Sequence, residues 1–340
     1  AGENYFVLRD GSLIIYQAGN AALTEQGLRI VGAHTDSPCL KIKPQPDSDG
    51  NGYLKLGIEV YGGALFAPWF DRDLSVAGIV YFRDKQGGMH SELIDLTRPI
   101  AVIPSLAIHL DREANSNRTI NPQEELQPIL MRQLGQSKRF SALLCEELAR
   151  HNAAHADATI LSYELALYDT QPGAIVGLEK EFMCSARIDN LLSCFVALRV
   201  MLENLADRPR VAAFFNHEEV GSASRSGAQG SFLQAFIERL SPEFARVIDK
   251  SWMLSIDNAH GVHPNYAAKH DKNHAPLINS GPVIKHNANQ RYATSAETAA
   301  QFIDMCLRHD IPFQQFAMRA DLACGSTIGP ITATRLGMRT

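Results

Sequence analysis

The sequence predicts an α/β protein in which a β-rich segment separates the two halves of a sheet-containing domain. Short apolar runs that stop at turn residues are typical of strands buried on both faces, and Leu28–Ala33 and Val211–Phe215 are two such runs. Between them the pattern changes to alternating apolar and polar residues with many turn residues. We therefore predict one domain formed by residues 1–43 with 178–340, and an inserted domain at 44–177.

Length and composition restrict the classes of protein that this chain can be. It has 340 residues, of which 45% are hydrophobic and 20% charged, as in ordinary globular proteins rather than disordered or fibrous ones. At roughly 150 residues per domain the length suits two domains. The net charge of −5 without a Lys/Arg cluster argues against a nucleic-acid partner. Since no apolar run approaches the ~18 residues that cross a bilayer, no membrane partner is expected.

Cysteine usage and the first residues predict a cytoplasmic location. The six cysteines contain no C-x-x-C pair and are dispersed, so we expect free thiols in a reducing compartment. They are Cys39, Cys145, Cys184, Cys194, Cys306 and Cys324. The N-terminus shows no charged segment followed by an apolar core, so no signal peptide is predicted.

The inserted segment is predicted to be mainly β-structure. Alternating apolar and polar residues, separated by glycine and proline, are typical of strands joined by turns. One helix interrupts this pattern late in the segment. The predicted strands are Tyr53–Tyr61, Ala77–Phe82, Ser91–Leu96 and Thr159–Tyr168, and the predicted helix is Ser141–Asn152.

After the insertion, helical and strand patterns alternate. The spacing of apolar residues by four and three in Asn190–Leu205 predicts an amphipathic helix. These apolar residues are Leu191, Phe195, Leu198, Leu202 and Leu205. The further predictions are helices at Ser231–Leu240 and Thr294–Leu307, and strands at Val211–Phe215, Ser251–Ile256 and Phe313–Arg319.

Three of the predicted strands end in residues that bind metals or transfer protons. These are His34 and Asp36 after the first strand, Glu218 and Glu219 after the second, and Asp257 after the third. In open α/β sheets, ligands bind beyond the carboxyl ends of the strands. We therefore expect these side chains to form one cluster, although its members lie far apart in the sequence. Asp189, just before the amphipathic helix, can face the same edge.

Each of these residues has an ordinary structural explanation when taken alone. Asp189 could cap its helix, His34 could be a buried histidine with satisfied hydrogen bonds, and Asp257 could belong to a turn. The Glu218–Glu219 pair could be solvated surface. However, a buried strand that ends in adjacent carboxylates is costly unless the charges are paired or bind cations. Three such ends in one domain favour a metal site.

The residue types indicate a catalytic rather than a structural metal site. Carboxylates and imidazoles without thiolates suit Zn²⁺, Mn²⁺ or Co²⁺. Several carboxylates with few histidines favour two ions that share a bridging Asp. Two ions ~3.5–4 Å apart can activate a water and polarise a carbonyl oxygen. An adjacent Glu that is not a ligand is then the natural general base.

Other catalytic templates are absent from the sequence. It contains no G-x-S-x-G, H-E-x-x-H, G-x-x-x-x-G-K-[ST] or G-x-G-x-x-G motif. The glycine-rich segment 221–230 lacks a lysine and follows the Glu pair. We therefore predict that it is a close turn into the next helix rather than a phosphate-binding loop.

Long motifs along essentially the whole chain resemble the M18 family of metallo-aminopeptidases, the aspartyl aminopeptidases. The matching segments are VGAHTDSPCLKIKP (31–44), YGGALFAPWFDRDLS (61–75), ARIDNLLSC (186–194), HEEVGS (217–222), DNAHGVHPNY (257–266), GPVIKHNANQRYAT (281–294) and CGSTIGPI (324–331). The resemblance implies a phosphorylase/hydrolase-like zinc-peptidase α/β core with an inserted β-rich dimerisation domain. It also implies assembly into a dodecamer built from dimers.

The resemblance implies two zinc ions per subunit. His34, Asp189 and Asp257 would hold one zinc, and Asp189 would bridge to a second that Glu219 also binds. A further histidine ligand is implied beyond the segment that matches 336–340. Glu218 would be the general base for a water between the metals. Asp36 would orient His34 through a carboxylate–histidine–metal arrangement.

The same resemblance implies the substrate and the residues that contact it. The substrate would be a peptide with an N-terminal Asp or Glu. Positions that match substrate contacts are His260, Lys285 and Tyr292, and His109 would contact the substrate in a neighbouring subunit. A lysine such as Lys285 suits an acidic side chain, because burying an unpaired carboxylate is prohibitive. Co²⁺ or Mn²⁺ could replace Zn²⁺ at such ligands.

Two alternatives remain open from the sequence. The first is an aminopeptidase for neutral or many N-terminal residues, with the same two-metal core and a different specificity pocket. The second is a non-catalytic oligomeric scaffold that keeps the fold without full metal occupancy. Glu218, Asp36 and Asp189 are all present, which disfavours the scaffold.

Overall fold

The computed structural model describes residues 4–133, 138–203 and 207–340, which form both strands and helices. The strands are β1 Asn4–Arg9, β2 Ser12–Gln17, β3 Arg29–His34, β4 Cys39–Gly50, β5 Tyr53–Tyr61, β6 Leu74–Arg83, β7 Met89–Asp95, β8 Ile129–Arg132, β9 Thr159–Asp169, β10 Ala174–Val176, β11 Phe182–Cys184, β12 Arg210–Phe215, β13 Trp252–Ser255, β14 Val283–His286 and β15 Gln314–Ala317. The helices are α1 Leu23–Gln26, α2 Pro122–Glu125, α3 Phe140–His151, α4 Ile188–Glu203, α5 Phe232–Leu240, α6 Phe244–Lys250, α7 Ala296–Arg308 and α8 Ile328–Leu336.

The chain divides into two compact units. The first contains the residues up to Ser37 together with Arg187–Thr340, and the second is Pro38–Ala186. The predicted bounds at 43/44 and 177/178 fall inside β4 and just after β10. The predicted division into a catalytic and a dimerisation domain stays a prediction.

A five-stranded mixed sheet forms the centre of the first unit. Its strand order is β1-β2-β12-β3-β13. The strands β12, β3 and β13 are parallel, whereas β2 runs antiparallel to both β1 and β12. A separate two-stranded parallel sheet contains β14 and β15. The three parallel strands therefore present their carboxyl ends at one edge.

Helices cover both faces of the central sheet, which explains the continuous apolar runs of its middle strands. On one face, Val211 and Phe215 of β12 pack in a cluster with residues of α5, α6 and α8, among them Ile237. On the other face, Phe214 packs in a cluster with Met201 of α4. Alternate residues of β12 thus enter different cores, as the period of two requires.

The second unit contains a six-stranded antiparallel sheet and a two-stranded ribbon. The sheet order is β7-β6-β9-β4-β5-β8, and the ribbon pairs β10 with β11. Apolar residues of the sheet, such as Leu40 and Phe82, share a core with Phe140 and Leu148 of α3. This β-rich composition matches the alternating pattern of the inserted segment.

Most of the predicted elements are confirmed within a few residues. The strands predicted at Leu28–Ala33 and Ser251–Ile256 are β3 and β13, and the strand at Phe313–Arg319 is the shorter β15. The helices predicted at Ser141–Asn152 and Thr294–Leu307 are α3 and α7. The short elements β14, α6 and α8 were not predicted, because four to nine residues carry little periodic signal.

The amphipathic helix is confirmed as α4, but the prediction of its packed face is wrong. The predicted apolar residues Phe195 and Leu202 are 55% and 66% exposed, whereas Ala197 and Met201 are buried. The small Ala197 allows close approach to β12, so the packed face is not the one with the largest side chains. Leu205, which belongs to the predicted stripe, lies outside the described residues.

None of the described helices combines the length and the apolar character that a bilayer span requires.

Candidate active site

The parallel strands bring three separate segments to one edge of the central sheet. His34 ends β3 and pairs in register with Phe215, the last residue of β12. In β13, Ser255 pairs with Gly32, so the segment that follows β13 runs beside His34. Glu218 and Glu219, which follow β12, and Asp257, which follows β13, therefore lie near His34.

A tight turn after β12 directs Glu218 and Glu219 back to this edge. His217 and Gly221 both have left-handed backbone conformations, with φ of 66° and 92°, and a single 3-10 turn lies between them. The Ser222 N–H donates to the His217 carbonyl at 2.7 Å and closes the turn. A Cβ at Gly221 would meet no atom within 4 Å, so its positive φ rather than its size favours glycine there.

The predicted metal ligands, together with the predicted general base Glu218, form two overlapping groups around His34. The His34 Nε2 atom lies 3.3 Å from Asp189 Oδ1 and 3.5 Å from Asp257 Oδ1. A second group combines His34 with Glu218 and Glu219, and within each group the candidate ligand atoms lie within 4.8 Å of one another. In the described part of the chain, no group within that limit contains both Asp189 and Glu219. The predicted bridging role of Asp189 stays a prediction.

Asp36 joins the end of β3 to the Glu218–Glu219 turn. Its side chain is only 7% exposed. Its two carboxylate oxygens accept the backbone N–H groups of Glu218 and Glu219, each at 3.0 Å. Hydrogen bonds to a charged acceptor are stronger than those between neutral groups. The carboxylate of Asp36 thus fixes the backbone of both glutamates.

The contact between Asp36 and His34 runs mainly through the backbone. His34 Nδ1 lies 3.0 Å from the Asp36 carbonyl oxygen and 3.6 Å from its carboxylate. A proton on Nδ1 donates to that carbonyl and leaves Nε2 as the atom that faces Asp189 and Asp257. The predicted role of Asp36 in orienting His34 stays a prediction, with its carbonyl as the closer contact.

The electrostatics of the cluster favour a bound cation. Burial raises the pKa of Glu218 and of Glu219 to about 7, and the neighbouring carboxylates add to the increase. Burial alone would lower the pKa of His34, but its hydrogen bonds to Asp189, Asp257 and Asp36 raise it to about 12. Without a metal ion, the raised pKa values favour protons on His34, Glu218 and Glu219, and a metal ion could take the place of these protons. The donor set of one imidazole and several carboxylates fits zinc.

Lys285 and Tyr292 lie near Asp257, and their predicted contacts with substrate stay predictions. Lys285 Nζ donates to the Asn258 carbonyl at 2.7 Å and lies 4.0 Å from Asp257 Oδ2. It also lies 5.4 Å from the centre of the Tyr292 ring. Burial would raise the pKa of Asp257, but His34 and Lys285 hold it below its usual range.

His260 and His109 are both exposed, and His260 belongs to neither of the ligand groups around His34. His260 follows Asp257 by three residues in the first unit. His109 belongs to the second unit, where Arg112 donates to its Nδ1 at 3.4 Å. The exposed residues around it include Leu106, Ile108 and Leu110. Both substrate contacts stay predictions.

A cavity of about 850 Å³ adjoins Asp257 and Lys285 in the first unit. Its wall is mostly apolar, with Leu192 and Val196 from α4 and Phe302 from α7 among the lining residues. Pockets of this size accommodate small ligands or side chains of a peptide.

Three contacts around the cluster were not predicted from the sequence. Ser37 Oγ donates to the Asp189 carbonyl at 2.7 Å, and Asn190 Nδ2 donates to the Ile256 carbonyl at 3.0 Å. The Cys194 thiol donates to the His34 carbonyl at 3.1 Å. The sequence offered one signal, since Ser37 and Asn190 directly follow Asp36 and Asp189. Their partners could not be inferred without the fold.

The chain matches known proteins over its whole length. Residues 1–340 match the family described as Aminopeptidase I zinc metalloprotease (M18). A probable M18 family aminopeptidase 2 of Ectopseudomonas mendocina is 55% identical over 346 residues, covering 100% of this chain and 80% of that protein. These matches confirm the predicted family resemblance.

Solved structures agree with this match. The structure of the Ape4 and Nbr1 complex superposes with a TM-score of 0.92 at 36% identity, covering 100% of this chain and 70% of that chain. The dodecamer of mature Ape1 from S. cerevisiae superposes with a TM-score of 0.78 at 26% identity, covering 100% and 78%. The predicted zinc-peptidase α/β fold is thereby confirmed.

The protonation of the cluster predicts how stability depends on pH in the presence of a chelator. Glu218 and Glu219 keep protons up to about pH 7 and His34 up to about pH 12 in the folded state, against ordinary values of 4.5 and 6.5. Between these values the unfolded chain binds fewer protons, so stability falls as pH rises from about 5 to 8. Urea unfolding midpoints across this range measure the trend.

The variant Glu218→Gln removes one of these protonations and should make the fall with pH shallower. Glu238→Gln, at an exposed position in α5, serves as the matched control and should leave the slope unchanged. A stability that rises with pH over this range would contradict the account of the cluster.

Proposed function

The chain belongs to the M18 family of zinc metalloproteases, and from this premise we propose that it hydrolyses peptides with an N-terminal Asp or Glu at a site with two zinc ions. As a member of this family it is a metal-binding aminopeptidase. The observation that carries the finer proposal is the pair of overlapping ligand groups around His34, which three strand ends deliver to one edge. Such an arrangement offers more carboxylates than a single zinc ion requires.

Specific residues would hold the two ions. His34, Asp189 and Asp257 would bind one zinc, and Asp189 with Glu219 would bind the other. The contacts of His34 Nε2 with Asp189 and Asp257 support the first assignment. When bound, a zinc pair supplies Lewis acidity to the scissile carbonyl and lowers the pKa of a water. Co²⁺ or Mn²⁺ would suit the same donors.

In this proposal Glu218 is the general base. Its carboxylate lies in the cluster without being needed as a ligand, and its backbone is fixed by Asp36. In the site without metal, burial raises the pKa of Glu218 above its ordinary value, and an environment that favours the protonated form suits a carboxylate that takes up a proton and returns it. Glu218 takes a proton from the attacking water and delivers it to the amine that leaves. Asp36 keeps the carboxylate in position during both transfers.

The variant Glu218→Gln tests this role. Gln keeps the size of the side chain but cannot accept the proton, so kcat should fall by roughly 10²- to 10⁴-fold. The zinc content, measured by elemental analysis, should remain that of the wild type. Glu238→Gln is the control at an exposed site. Retained activity would contradict the general-base role, and an inactive wild-type protein with bound zinc would favour a non-catalytic scaffold.

Specificity for acidic residues is supported by Lys285. Its ammonium group lies near Asp257 and could pair with the carboxylate of an N-terminal Asp or Glu. Tyr292, beside the ammonium, and the exposed His260 would contact the same peptide. The mostly apolar wall of the adjoining cavity favours the alternative, an aminopeptidase for neutral residues. Specificity for acidic residues and specificity for neutral residues predict different results for the variant Lys285→Ala.

We expect Lys285→Ala to reduce the ratio of kcat/KM for Asp over Leu substrates by at least about tenfold, because one charged hydrogen bond is lost. Anilide substrates with Asp, Glu and Leu measure this ratio. Lys250→Ala, in which the exposed Lys250 at the end of α6 is replaced, should leave it unchanged. An unaltered ratio in Lys285→Ala, or a wild-type preference for Leu, would support the neutral-residue alternative.

The proposal includes self-association through the inserted unit. Mature Ape1, one of the similar solved structures, is a dodecamer, and the exposed apolar residues beside His109 are suited to burial against another copy. We propose that dimers form the dodecamer and that His109 contacts substrate in a neighbouring subunit. A cytoplasmic location, predicted from the sequence, belongs to the same proposal.

Mixed assemblies test the shared site. If His109 acts in a neighbouring subunit, refolded mixtures of His109→Ala and Glu218→Gln chains should recover part of the wild-type activity, because some sites receive both intact residues. Unmixed assemblies of each variant provide the baseline. Light scattering verifies that the mixtures have the wild-type mass. No recovery in such verified assemblies would contradict a contact between subunits.

A further inference from the structure

We infer that Ser37 and Asn190 are positioning residues for Asp189. Each side chain makes a hydrogen bond that fixes the backbone at Asp189, Ser37 to the Asp189 carbonyl and Asn190 to the Ile256 carbonyl. The inference rests on the proposed metal site but not on the proposed substrate. It concerns residues outside the proposed ligand set, whose side chains bond to backbone carbonyls.

Asp189 differs from the other ligands of its group in how its side chain is surrounded. The side chains of His34 and Asp257 are 3% and 15% exposed, so packing restricts them. The side chain of Asp189 is 55% exposed. Since packing restricts this carboxylate less than it restricts the other two side chains, its position depends on the contact with His34 and on how firmly the backbone is held.

Helical hydrogen bonding provides only part of this support, through the Leu191 N–H that donates to the Arg187 carbonyl at 3.2 Å. Asp189 and Asn190 have non-helical backbone angles at the start of α4, with ψ of 108° and 27°. The preceding Arg187 has a left-handed φ of 60°, a conformation that a side chain other than glycine adopts at a cost. The segment that carries Asp189 therefore needs contacts from outside the helix.

Ser37 and Asn190 provide contacts to two different strands. Ser37 lies three residues after the end of β3, and its hydroxyl donates to the Asp189 carbonyl at 2.7 Å. The Asn190 amide donates to the carbonyl of Ile256, the residue before Asp257, at 3.0 Å. The first bond ties Asp189 to the segment of His34, and the second ties it to the segment of Asp257. These two hydrogen bonds therefore connect the segments that carry His34, Asp189 and Asp257.

The buried amide of Asn190 makes one hydrogen bond, through its Nδ2 donor. The residue is fully buried, and its Oδ1 atom has no hydrogen-bond partner in the described part of the structure. A buried acceptor without a partner costs free energy that an apolar residue of the same shape would not. Buried polar groups that cost stability are expected where function requires them.

The variant Asn190→Leu separates positioning from stability. Leu has nearly the same volume but neither the donor nor the unpaired acceptor. We expect the zinc dissociation constant, measured by competition with a chelator, to rise by roughly 10- to 100-fold, as for other residues that orient ligands. The unfolding midpoint of the chelator-treated protein should change little, because removing the unpaired Oδ1 acceptor offsets the loss of the donor to the Ile256 carbonyl. A zinc affinity equal to that of the wild type would overturn the inference.

Ser37 provides an independent variant if Asn190→Leu does not fold. Ser37→Ala removes the donor and should weaken zinc binding, whereas Ser37→Thr keeps the hydroxyl and should restore it. Ser193→Ala removes another half-buried hydroxyl, from α4, and serves as the control. Equal zinc affinity in Ser37→Ala and Ser37→Thr would contradict the inference. A wild-type protein that binds no zinc would overturn the proposed metal site itself.

Discussion

Parallel pairing of β12 and β13 with β3 is the constraint on which the site depends. In register, β12 ends level with His34 and β13 ends two residues before it, so the pairing carries residues from distant parts of the sequence to the position of His34. A slip by one residue would point every side chain to the opposite face. The cores on both faces of β12 prevent such a slip, because Val211 and Phe214 fit different layers. The packing of the sheet therefore fixes the chemistry at its edge.

Several carboxylates lie close together at the carboxyl edge of the central sheet, and they disfavour one another's ionised forms. Glu218 and Glu219 have raised pKa values because burial and neighbouring carboxylates disfavour their ionised forms. The same crowding makes the cluster suitable for divalent cations, which replace protons among the carboxylates. Asp36 is used differently, since both its oxygens accept backbone N–H groups. The carboxylate of Asp36, which fixes the backbone, therefore lies next to the carboxylates that are suited to binding metal.

The sequence predicted the parts of the fold with strong periodic or local signals. Buried strands such as β3 and β12 and the long helix α7 were evident from their apolar patterns. The packed face of α4 was predicted wrongly, because spacing alone does not reveal that Ala197 and Met201 make the close contacts. The approach of His34 to Asp257 was predictable, since His34 ends one recognisable strand and Asp257 follows another. The contacts of Ser37 and Asn190 were not, because a hydrogen bond to a backbone carbonyl leaves no pattern at the partner position.

The central claim is that one sheet edge binds two metal ions through His34, Asp189, Asp257 and Glu219. Titration of the chelator-treated protein with zinc, followed by calorimetry and elemental analysis, tests it most directly. We predict two zinc ions per wild-type chain. For Glu219→Gln we predict one tightly bound ion, because the ligands of the other group are intact. A single ion in the wild type, or two equally tight ions in the variant, would contradict the claim.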